Sequence, residues 1–245
     1  MNEPAPPVEV TLRIPGPWSH PREMLERMPA GYRLTEEALI LPSGAKVELN
    51  FAQPDEQFPE IFRTSLRRPA TTEELAIADH YEVNVLLTGP GGSLTAAQTM
   101  LDAGAAFVQA GAAGVFIDNC GLSFGGELWL QMAEDGSSDA VSFAFVNIIR
   151  GETEVWTMGF HVLGMRDIIM KRVDVEQGGF DIVEVIRYLA GGEKPVDDGH
   201  VIANLEGPQF QCFAQDGEVR TAGSPMYNPF GRLRLVCMRD IAENN

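Results

Sequence analysis

The sequence predicts an α+β protein: a largely antiparallel sheet with helices on one face, an arrangement that two ferredoxin-like (βαββαβ) halves would satisfy. Three observations carry this. Short segments with period-two alternation of apolar and polar residues recur along the chain, beginning with VEVTLRI at 8–14. Segments with helix start and stop signals separate many of them. Tight turns such as Pro42-Ser43-Gly44, Arg150-Gly151-Glu152 and Asp216-Gly217 join the others directly, and strands joined by so few residues run antiparallel.

In chain order, the strand at 8–14 is followed by a short helix that Ser19 caps, with Pro21 in its first turn and Pro29 and Gly31 beyond its end near Met28. ALIL and KVELNF form a hairpin. DEQFPEIFRTSLRR starts with acids and ends with arginines, which suits a helix dipole, and TTEELAIADH carries its own start signals. A strand at 81–87 leads to a helix over 94–110, then to the strand GVFID ending at Asp118 and a helix over 126–133. AVSFAFVNII and EVWTMGFHVL flank Arg150-Gly151-Glu152 as hairpin strands; the first is apolar on both faces and is therefore expected to be central. FDIVEVIRYLAGG places Ile182, Val183, Ile186 and Leu189 on one helical face and stops at paired glycines. HVIANLE, FQCFA and RLRLVCM complete the strands. The sharpest joint, at 68–72, divides a βαββα region at 1–70 from an α+β region at 71–245, with packing as one continuous domain also open; the charged, glycine-rich loop at 191–199 competes with it.

Composition excludes several function classes. Apolar residues make up 44% of 245, enough for a core without metal or disulfide support. Acids outnumber bases 35 to 18, a formal charge of −17 that disfavours nucleic acid and anionic membrane as partners. The pairs Arg67-Arg68 and Lys171-Arg172 are too short to make a basic patch. Cys120, Cys212 and Cys237 lie far apart with no CxxC spacing, and His20, His80, His161 and His200 show no ligand spacing, so neither a metal nor a cofactor is expected and a reducing compartment is. The N-terminus lacks a signal-peptide pattern, and the least polar window, 94–117, is interrupted by Gln98, Asp102 and Gln109. The expected location is the cytoplasm.

The stretch VNVLLTGPGGSLTAAQ runs a strand through a glycine turn into a helix, the ingredients of a phosphate cradle. A Walker loop needs a lysine after its last glycine, and Ser93 and Leu94 stand there instead. A dinucleotide fingerprint finds its first two glycines in Gly89 and Gly91 but has Leu94 at the third; Asp118 at the next strand end is where a ribose-binding acid would lie. The alternative is a tight turn whose Ser93 caps the helix. Gly89, Gly91, Gly92, Ser93, Asp118 and Asn119 are accordingly the candidate ligand-binding residues. The candidate catalytic residues are Cys120, His161 and Asp167: a thiol becomes a nucleophile if a histidine activates it, and His161 is expected on a strand beside Gly159, on the less apolar face. The bland readings are a buried cysteine, a histidine bonded within the sheet and turn-forming Asp118 and Asn119.

At AGAAGVFIDNCGLSFGGELWL followed by WTMGFHVLGMRDI, the sequence resembles a bacterial domain-of-unknown-function family, number 4261, over about residues 81–199. The resemblance implies a cytoplasmic bacterial protein with an α+β fold and attaches no reaction to the motifs. Together these readings lead to a non-enzymatic binding or protein-interaction module, with a protein or a small molecule as partner. The alternative is a small-molecule hydrolase or transferase with a cleft where Asp118, Asn119 and Cys120 meet His161.

Overall fold

The computed structural model describes residues 7–176, 181–192, 196–203, 209–216 and 223–243. Two sheets share one core. The first contains β1 (Glu9–Gly16), β2 (Arg33–Leu34), β3 (Ala38–Ile40), β4 (Lys46–Ala52), β5 (Val83–Pro90), β6 (Gly114–Ile117) and β7 (Leu122–Gly125), ordered β2-β3-β4-β5-β1-β6-β7. Every pairing in it is antiparallel. Its helices are α1 (Pro21–Arg27), α2 (Phe58–Thr64), α3 (Thr72–Asp79) and α4 (Leu94–Gln109). β5 lies between β1 and β4, and β1 lies between β5 and β6, so the two crossovers interleave, each skipping a strand that the other supplies.

The pleat explains how helices are distributed over this sheet. Val115 and Ile117 point into the main core with Val10, Leu12 and Ile14, beneath α4, while Phe116 between them points the other way. Trp18, just before α1, joins the main core by packing edge-on to Phe107 and donating Nε1–H to the Ala110 carbonyl at 3.0 Å. On the reverse face, Phe58 of α2 sits edge-on to Phe116 and Tyr81 with centroids 5.9 and 5.6 Å away, and Phe62 and Ala78 complete a small second cluster. Helices therefore cover both faces of the first sheet, a correction to the expectation of one, because Phe116 and Tyr81 require their own apolar cover.

The second sheet contains β8 (Asn147–Arg150), β9 (Glu154–Met158), β10 (Asp167–Lys171), β11 (Val201–Ala203), β12 (Gln209–Gln215) and β13 (Arg232–Cys237), ordered β11-β12-β13-β10-β9-β8. β10 and β13 run parallel and the remaining pairs antiparallel. That parallel pair at its centre is incompatible with a second all-antiparallel interleaved half, so the expected pair of ferredoxin-like halves is not formed. Helices α5 (Gly126–Asp135) and α6 (Ser138–Phe145) carry the chain from one sheet to the other; α7 (Arg172–Glu176), α8 (Ile182–Gly191) and α9 (Met238–Glu243) follow. The fold class is α+β, as the sequence predicts. Residues 68–72 fall inside the first sheet, and the change of sheet comes between residues 125 and 147. One cluster of buried side chains, from Leu12 and Phe107 through Phe145 to Ile168 and Leu235, runs through both sheets.

Several local expectations change. His20, not Ser19, caps α1, its Nδ1 accepting from Arg22 N–H at 3.1 Å, while the Ser19 hydroxyl donates to Glu23. AVSFAF belongs to helix α6, not to a central strand: Ser137 accepts from Ala140 N–H at 3.2 Å, and the largely apolar run that follows is buried from several sides. β9 stops at Met158 because Gly159, at φ 111°, turns the chain left-handed into a single 3-10 turn over Phe160–Leu163. His161 is thus on a turn and not on a strand. β7 forms where the sequence reads as a loop, and β10 where it carries no strand prediction. The Asp216-Gly217 turn extends outside the described residues.

Candidate functional site

The glycine turn after β5 meets the 3-10 turn of the second half. Gly91 N–H donates to the Val8 carbonyl and Gly92 N–H to the Val162 carbonyl, both at 2.9 Å, and the Ser93 hydroxyl accepts from Ala96 N–H at 3.1 Å as a helix cap. The N–H donors of Gly91 and Gly92 are thus bonded to the protein itself. Its glycines serve close approach. A Cβ on Gly89 would stand 2.4 Å from the Met100 sulfur, and one on Gly164 would stand 2.3 Å from the Gly92 carbonyl oxygen. The turn that holds the ligand-binding candidates Gly89, Gly91, Gly92 and Ser93 is a docking joint between the two halves.

Just beyond β6, Asp118 forms a bidentate pair with Arg13, at 2.7 and 2.9 Å. Asn119 is buried and fully used: Oδ1 accepts from Thr11 N–H at 3.0 Å, and Nδ2 donates to the carbonyls of Glu9 (2.9 Å) and Pro225 (3.1 Å). Its Nδ2 also lies 3.2 Å from His161 Nε2, which approaches the Pro225 carbonyl at 2.9 Å. A carbonyl can only accept, so the proton of the neutral imidazole sits on Nε2. The lone pair is then on Nδ1, which is buried without a partner. Burial pushes the imidazole down to about 4, against the opposing bond to Pro225. A base must reach its proton, and this one is enclosed.

Asp167 opens β10 beneath the same turn. Its Oδ1 accepts from the Thr157 hydroxyl (3.2 Å) and Phe160 N–H (3.3 Å), and its Oδ2 from Asn228 Nδ2 (2.8 Å). Burial pushes the carboxyl up to about 6, and these donors limit the rise. The carboxyl ties together β9, β10, the turn and the segment before β13. Cys120 is wholly buried, and burial pushes its thiol up to about 12. A Cβ at Gly159 would come within 2.9 Å of Cys120 Cβ and 2.0 Å of the Phe145 carbonyl oxygen, which leaves no room for a substrate there. No hydrogen bond links the thiol to His161. The structure therefore brings Asn119 and His161 together, and both to the seam where the sheets meet, while Cys120 remains a core residue.

An open cleft of about 420 Å³ lies where the edges of the two sheets meet, lined by Ser65, Arg67, Leu122, Asn147 and Arg150 among others. Ser65 and Arg67 extend the first sheet: Ser123 N–H donates to the Ser65 carbonyl (3.0 Å) and Arg67 N–H to the Ser123 carbonyl (3.1 Å). β8 forms the facing edge, and Asn147 Nδ2 bridges the gap to the Cys120 carbonyl at 3.0 Å. Arg67 Nη1 donates to the carbonyls of Phe143 (2.9 Å) and Val146 (2.5 Å) at the end of α6, and the guanidinium lies 4.2 Å from the Phe143 ring centroid. Burial lowers its pKa. Four other clefts each carry carboxylates: Asp135 and Asp139, Asp197, Glu152 and Glu154, Glu37 and Glu48. The cleft shared by Ser65, Arg67 and Arg150 carries none, although Arg67 also borders the cleft of Asp135 and Asp139. Sequence reasoning misses it because Arg67 and Arg150 meet only through the contact of two sheet edges; the only signal, Arg67-Arg68, is too short to be read.

Among the described residues no group of three or more His, Cys, Asp or Glu is placed to hold a metal ion, and no helix is long and apolar enough to cross a membrane. Compared with protein-family models, curated proteins and solved structures, the chain matches none.

Proposed function

We propose that the chain is a non-enzymatic binding or interaction module of the bacterial cytoplasm. One observation carries the reading: the Cys120 thiol, on which nucleophilic chemistry at the strand ends depends, is enclosed by core and held protonated, with its pKa pushed up to about 12. His161 presents an N–H to Pro225 where a base would present a lone pair. None of the five clefts described above is lined by Asp118, Asn119, Cys120, His161 or Asp167, which weighs against the hydrolase or transferase alternative. The free, buried Cys120, Cys212 and Cys237 support a reducing compartment. The resemblance to family 4261 enters this proposal on its motifs alone and supplies no reaction.

Alkylation tests it. Iodoacetamide at pH 7.5, followed by peptide mapping, is expected to leave Cys120 unmodified in the folded chain and to label it in denaturant. Rapid labelling of the folded chain at Cys120 would return the catalytic reading.

A further inference from the structure

We propose that the cleft between Arg67 and Arg150 binds an anionic group, a carboxylate or a phosphate borne by a small ligand. The proposal rests on the reading of the chain as a binding module and gives that module a ligand chemistry.

The physical case starts from charge. On a chain of formal charge −17, a concave surface with two arginines and no carboxylate is a local exception to the field around it. Arg67 is half-buried, so its charge has lost part of its hydration. Carbonyls at the end of α6 return some of that through Nη1. A guanidinium has five N–H donors in a planar fork, and the Nε and Nη2 donors of Arg67 have no partner among the described residues. Capping of α6 thus accounts for one nitrogen of Arg67 and leaves a fork edge of the kind that matches a carboxylate or phosphate bidentately. Arg150, exposed at the end of the edge strand β8, has no ion-pair partner among the described residues. The Asn147 side chain donates through Nδ2 to the Cys120 carbonyl, which fixes the amide beside the two cations. A volume of about 420 Å³ is in the range of small-molecule sites, and its openness to solvent suits a ligand that leaves a neutral part outside.

The test is an amide-resolved NMR titration of the full chain with inorganic phosphate and, separately, with citrate. Saturable shifts are expected at Arg67 and over 147–150, and the stronger of the two probes identifies phosphate or carboxylate as the preferred group. Arg150→Gln is expected to weaken binding about tenfold, as loss of a charge-assisted contact should. Arg68→Gln removes the same charge from an exposed neighbour outside the cleft and is expected to leave the affinity unchanged. The proposal is overturned if neither probe gives saturable shifts, if the shifts map elsewhere, or if R68Q weakens binding as much as R150Q. The alkylation of Cys120 is read independently, so a negative titration and a failed module reading are distinguishable.

Discussion

Asp167 and His161 occupy one joint and titrate in opposite senses. The Asp167 carboxyl moves from an ordinary 3.8 to about 6 on folding, so across that interval the folded chain keeps a proton that the unfolded chain releases. Its contribution to stability is full below the ordinary value and is lost as pH rises through about 6. His161 moves from 6.5 to about 4, so the unfolded chain takes up a proton first on acidification; its contribution is full above the ordinary value and is lost as pH falls through about 4. Between about pH 4 and 6 the two slopes oppose, each bounded by about 1.4 kcal/mol per pH unit. Urea unfolding across this window separates them. Relative to wild type, His161→Gln should gain stability as pH falls and Asp167→Asn should lose it; parallel curves for both variants would show that neither group titrates as its burial requires.

At the scale of elements, the docking of the glycine turn on the 3-10 turn links the two sheets. Gly164 has φ 79° and no space for a Cβ against the Gly92 carbonyl, whereas Gly44 has φ 87° and open space around it. Gly44→Ala carries backbone strain alone, about 1 kcal/mol. Gly164→Ala adds a clash with backbone and is expected to cost about 2 kcal/mol more, measured by thermal or urea unfolding. Equal losses would mean that the joint yields freely. Much at this scale was legible: the β3–β4 hairpin, the Ser93 cap and the amphipathic α8 follow from turn chemistry, side-chain capping and helical periodicity, all local, although Val185 and not Val183 is buried with Ile182, Ile186 and Leu189. α6 was not, because a run as apolar as Ala140–Phe145 has no period, and only burial from several sides chooses helix over strand. The sequence puts His161 on a strand because Gly159 reads equally as a close-packing residue and as a left-handed break. The site was least legible of all: Asn119 and His161 meet across 42 positions, and Arg67 faces Arg150 only after both sheets form.

The whole molecule is bound by its strand order. β1 and β4 do not pair; β5, from beyond residue 70, stands between them. A fragment comprising residues 1–70 therefore lacks the strand that joins its own two longest strands, and circular dichroism is expected to find it without sheet, while the full chain unfolds in one transition through its shared core. A folded 1–70 fragment would restore the joint at 68–72 as a domain boundary.

The parallel pair of β10 and β13 has a consequence for how the chain is made. β13 pairs with both β10 and β12 at the middle of the second sheet, yet it is the last of the sheet's strands in sequence. As the polypeptide leaves the ribosome, β8 to β10 emerge first and β11 to β12 later, as two separate hairpin-like pieces with apolar inner faces. Neither can join the other until Arg232–Cys237 arrives to fill the gap. Vectorial synthesis thus leaves half of the molecule unsealed until that strand is delivered, and this interval is when the nascent chain most needs protection from aggregation.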